Sequence, residues 1–82
     1  MNFDVKFSNQ AASFIRKLNE ALKKRIKSKF LEVSQDPFRY LEHYEGQGYK
    51  LRIGDYRVLI DADLEQKILW VRVFDKRGRV YK

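Results

Sequence analysis

Two residues, Gly54 and Asp55, are all that separates the run YKLRI from the run YRVLID. Both runs are rich in the branched and aromatic side chains that suit a pleated sheet, and a glycine tolerates the positive φ that a two-residue hairpin turn demands. So short a turn also fixes the pairing register. Ile53 must face Tyr56 and Arg52 must face Arg57, with the side chains of each opposite pair on one side of the sheet. Tyr49, Leu51, Ile53, Tyr56, Val58 and Ile60 then share a face suited to a core, while Lys50, Arg52 and Arg57 share the other. Like charges directly opposite each other destabilise a ladder, so a chain that keeps Arg52 against Arg57 points to an anionic ligand there. The plainer reading is a solvated face with splayed arginines.

A third strand-like run covers residues 67–74, which makes the second half of the chain an antiparallel meander. The first half differs. Phe3, Val5 and Phe7 alternate with Asp4 and Lys6, the period of a half-buried strand over residues 2–7. Ser8 can cap a helix whose apolar positions are Ala11, Phe14, Ile15 and Leu18, and Asn19 a second with Leu22, Ile26, Phe30 and Val33. Asp36-Pro37 stops that second helix, since the residue before a proline avoids the α conformation. Two helices joined so tightly fold back as a hairpin. Residues 38–48 show no clean period and read as a connecting segment. The expected class is α+β: a strand, a helical hairpin, then a three- to four-stranded antiparallel sheet.

A chain of 82 residues has room for one domain, spanning residues 1–82. Such a small domain buries only roughly 60% of its unfolded surface, so one core must suffice. A hydrophobic fraction of 44%, with six Phe and five Tyr, can supply it. There is no cysteine, which excludes disulfides and thiolate chemistry and fits a reducing compartment. Neither a membrane span nor a signal peptide is visible, so the expected location is the cytoplasm.

Eighteen Lys and Arg against eleven Asp and Glu leave a net charge of +7, which draws polyanions or simply keeps a small protein soluble. The run after residue 75 is also basic: Lys76, Arg77, Arg79 and Lys82, with Tyr81 among them. Cations interleaved with a ring suit RNA, where phosphates take the charge and an unstacked base takes the ring. His43 is the only histidine and has no second His or Cys to complete a zinc site. Asp61, Asp63 and Glu65 lack the glycine and terminal glutamate of a calcium loop. No metal and no cofactor is expected. Lys17, Lys23, Lys24, Lys27 and Lys29 lie mostly off the apolar stripes and read as an exposed helical face.

The motifs YKLRIGDYRVLI and VRVFDKRGRVY, set behind a strand and a helical hairpin, resemble the RelE/ParE toxin superfamily over essentially the whole chain. In RelE-type members, Tyr-Lys-x-Lys/Arg, then Tyr-Arg, then Lys-Arg and a late Tyr carry activity. The matching positions are Lys50, Arg52, Arg57, Arg77 and Tyr81, with Lys76, Arg79 and Lys82 as further RNA-binding cations. Departures from the pattern are a turn at Gly54 shorter than in some relatives and nothing beyond Lys82, where others carry another helix.

The resemblance implies a RelE-like fold and a toxin of a type II toxin–antitoxin system that cleaves mRNA in the ribosomal A site. It also implies a RelB-like antitoxin as partner. RNA carries its own nucleophile, the 2′-hydroxyl, so the enzyme needs only alignment, proton transfer and charge stabilisation. Arg57 and Arg77 would clamp the phosphate. Lys50 or Arg52 would add stabilisation, and a lysine among cations can transfer protons where arginine does not. Tyr81 would stack on the base or accept the 2′-hydroxyl proton. Products would be a 2′,3′-cyclic phosphate and a 5′-hydroxyl. The same resemblance admits a ParE-like inhibitor of DNA gyrase, or an inactive homologue that only binds antitoxin.

Overall fold

A computed structural model describes residues 2–76. In chain order its elements are β1 (Asp4–Phe7), α1 (Asn9–Arg16), α2 (Glu20–Gln35), α3 (Pro37–Tyr40), β2 (Glu42–Glu45), β3 (Gly48–Ile53), β4 (Tyr56–Asp63) and β5 (Ile68–Lys76). The strands form one five-stranded sheet in the order β1-β5-β4-β3-β2. β5 to β2 are antiparallel neighbours, whereas β1 runs parallel to β5. The α+β class holds.

Both expected caps are present. The Ser8 hydroxyl accepts from the Ala11 N–H and the Asn19 side-chain Oδ1 from the Leu22 N–H, each satisfying an orphan donor of a helix's first turn. Ser8 also donates to the Arg72 carbonyl at 2.6 Å, which ties the start of α1 to β5. The two helices cover one face of the sheet. Ile26, Phe30 and Val33 from α2 and Ala11 from α1 are buried with Leu51, Ile53, Val58, Ile60, Leu69, Val71 and Phe74 from the strands. Phe14, Tyr56 and Phe74 meet ring to ring, with centroids 5.4 to 5.8 Å apart.

The segment 38–48 is more ordered than its sequence suggests. Pro37 starts the single helical turn of α3, and residues 42–45 form β2 on the sheet edge. This corrects the reading of that stretch as a mere connection and brings the sheet to five strands. All four residues of β2 are exposed, so no hydrophobic alternation marked it. Its register shifts between His43 and Glu45, and the Tyr44 ring then lies over Gly48. A Cβ on Gly48 would sit 2.9 Å from both that ring and the Glu45 carbonyl. Only glycine fits there.

The β3–β4 turn is as the sequence requires, with Gly54 at φ +56°. No helix among the described residues is long and apolar enough to cross a membrane.

Candidate active site

The tight turn at Gly54 delivers the pairing Lys50 with Leu59, Leu51 with Val58, Arg52 with Arg57 and Ile53 with Tyr56. Leu51, Ile53 and Val58 point into the core, so alternation sends Lys50, Arg52 and Arg57 to the face the helices leave open. The structure thus brings these three predicted residues together. Arg52 is exposed, while Lys50 and Arg57 are half-buried and Nη1 of Arg57 is fully so. Along one side of the trio runs a cleft of about 310 Å³ lined by Tyr40, Glu42, Lys50, Leu51, Arg52 and Arg57.

Two acidic residues that sequence reasoning missed border the cations. Glu42, opposite Lys50 in the ladder, brings its carboxylate 3.2 Å from Nζ. On the other flank the β4–β5 register sets Asp75 directly opposite Arg57. In the ladder Arg57 therefore stands between Arg52 and Asp75. Neither acid was foreseeable. Glu42 lay in a segment without period, and Asp75 reaches Arg57 only through a register shift that leaves Arg72 as the extra residue between Val71 and Val73.

Lys76 pairs with Tyr56, on the side of the ladder that carries the core, and so stands apart from the trio. Arg77, Arg79, Tyr81 and Lys82 lie outside the described residues. His43 is exposed, with Nε2 2.9 Å from the Gly46 carbonyl. Asp61 pairs with Arg72, and Asp63 accepts from the Gln66 N–H. Among the described residues no cluster of three or more His, Cys, Asp or Glu is placed to hold a metal ion.

The arrangement is a shallow cationic cleft with hydroxyl and carboxylate groups at its border. Guanidinium and ammonium groups so placed bind phosphate oxygens and gain strength as negative charge accumulates there. A family model described as the ParE toxin of type II toxin–antitoxin systems matches residues 5–81, from β1 through the basic run. The chain belongs to the ParE toxin family.

None of the curated proteins matches the chain. Solved structures of the superfamily do match in fold. The Mycobacterium tuberculosis RelBE2 toxin–antitoxin complex contains a chain with TM-score 0.81 and 22% identity, covering 94% of this chain and all of that one. The archaeal RelE–RelB complex from Pyrococcus horikoshii gives 0.79 and 23%, covering 96% and 99%. The intact Escherichia coli RelBE complex gives 0.77 and 22%, covering 94% and 99%. The ParE-family chain thus has the RelE fold, as its motifs implied.

Proposed function

We propose that this toxin is a metal-independent endoribonuclease that cuts mRNA in the ribosomal A site. The observation that carries the reading is the convergence of Lys50, Arg52 and Arg57 on the open sheet face beside a cleft of about 310 Å³. Arg57, held between β3 and β5 with part of its guanidinium buried, is the pre-organised clamp for the scissile phosphate. Arg77 is proposed to complete the clamp and Tyr81 to stack on the base or take the 2′-hydroxyl proton. Attack by the 2′-oxygen on the adjacent phosphorus forms the cyclic phosphate as the bond to the 5′-oxygen breaks. The leaving oxygen takes a proton, giving the 5′-hydroxyl. Lys50 is the candidate donor.

The proposed partner is an antitoxin resembling the RelB chains of the solved complexes. An apolar groove of about 330 Å³ between β1 and α2 is lined by Phe3, Val5, Ile26, Phe30 and Leu31, with the charged residues Lys23, Lys27 and Asp4 also lining it. That chemistry fits an amphipathic segment with acidic flanks.

The family match favours a second reading, a gyrase inhibitor that acts by binding protein. Primer extension on mRNA programmed into ribosomes, with EDTA throughout, separates the two. Codon-positioned cuts that vanish in the folded double variant Arg57→Ala, Arg77→Ala support the ribonuclease. Absence of cuts from the wild type, with loss of DNA supercoiling by gyrase, supports the second reading.

A further inference from the structure

The hairpin tip leans on α2, and the contact creates a second cationic cleft beside the first. The Arg25 guanidinium lies next to the turn, so that a Cβ on Gly54 would stand 3.5 Å from Nη2. Arg25, Ser28, Lys29, Glu32 and Arg52 line a hollow of about 420 Å³ there. Two residues join it to the first cleft. Arg52 lines both, and Lys29 rests its Nζ 4.6 Å from the ring centroid of Tyr40, which lines the first.

Charge and chemistry say what this hollow takes. Among the described residues neither Arg25 nor Arg52 makes an ion pair, and the one acid present, Glu32, is 3.8 Å from Lys29. Two arginines that make no ion pair among the described residues, together with a hydroxyl and with Glu32 turned to Lys29, suit phosphate. An acidic protein segment would need an apolar anchor as well, and the one apolar side chain lining the hollow, Ile53, is buried.

We propose that Arg25, Lys29 and Arg52 form a second phosphate-binding cleft, holding the backbone of a single-stranded RNA beyond the nucleotide seated at Lys50 and Arg57. The track rests on the ribonuclease reading for what occupies the first cleft. It assigns α2 the task of extending the footprint past the tip of the β3–β4 hairpin.

Fluorescence anisotropy compares a labelled uridine trinucleotide with a uridine strand several times longer. In the double variant Arg25→Ala, Lys29→Ala the ratio of the two affinities falls about tenfold. The salt slope for the long strand drops by about 1.4, two phosphates at about 0.7 each. Arg25→Lys, Lys29→Arg retains both, which separates lost charge from a misfolded helix. Wild-type RNA binding and cleavage with an unaltered ratio in the Ala variant overturns the track alone. Wild-type protein that neither binds the long strand nor cuts mRNA programmed into ribosomes overturns the ribonuclease reading and the track with it. Polyglutamate that binds the wild type more tightly than the long RNA, and loses that advantage in the Ala variant, overturns the track in favour of an acidic protein partner.

Discussion

Gln10 grips the backbone of Phe74 from both sides. Its Nε2 donates to the Phe74 carbonyl at 3.0 Å, and its Oε1 accepts from the Phe74 N–H at the same distance. β1 stops at Phe7, opposite Val71, while β5 continues to Lys76. Beyond Val71 one side chain from α1 thus takes the place of a missing strand.

Losing that grip leaves two backbone groups of a fully buried residue without their partner. Gln10→Ala is expected to lower unfolding stability by about 1 to 3 kcal/mol, measured by urea denaturation. Gln10→Glu should rescue only in part, since a carboxylate cannot donate to the Phe74 carbonyl.

The two N-caps should not be equal. Asn19→Ala removes one hydrogen bond from an exposed helix start and should cost about 1 kcal/mol. Ser8→Ala also removes the bond to the Arg72 carbonyl, and should cost about 2 kcal/mol. Thermal denaturation of the two variants side by side checks the order.

Backbone handedness gives a prediction of opposite sign. Lys67, in the turn before β5, is the one non-glycine residue with positive φ among the described residues, at +56°. Lys67→Gly should raise stability by about 1 kcal/mol, because an L side chain in that region crowds the following carbonyl. Gly54→Ala, at the same φ, should lower it by a similar amount. Gly48→Ala should cost more than Gly54→Ala, since a backbone oxygen and a ring both stand in its way.

Glu42 competes with any phosphate for Lys50. Glu42→Gln should therefore tighten RNA binding a few-fold at low salt, in line with roughly 0.5 to 1 kcal/mol for an exposed pair, with the gain disappearing at high salt. Unchanged affinity across the salt range would show that Glu42 does not compete with phosphate for Lys50.

Local signals were legible and distant ones were not. The Gly54 turn, the alternation around it and the caps at Ser8 and Asn19 each depend on neighbours within a few residues, and all appear where the sequence places them. β2 was invisible because EHYE buries nothing. The parallel union of β1 with β5 left no mark in either segment, since a two-residue period records which face is buried and not which strand lies alongside. The same limit explains the candidate site. Lys50, Arg52 and Arg57 share one hairpin, so their convergence followed from one turn, whereas Asp75 comes to Arg57 through a bulge and a different strand. Lys29 looked like part of a solvated helical face, and Arg25 drew no reading, because nothing in α2 reveals that a hairpin tip leans on it.

The parallel pairing of β1 with β5 bears on when the sheet can be completed. The strand made first finds its ladder only on the last one described, which also supplies Asp75 at the flank of Arg57. Contacts of such sequence separation form slowly and late, and β5 sits between β1 and the rest of the sheet. A nascent chain still lacking β5 has the hairpin of Lys50, Arg52 and Arg57 but neither Asp75 beside Arg57 nor a strand for β1 to pair with. The topology thus makes completion of the sheet wait until the codons for β5 have been read.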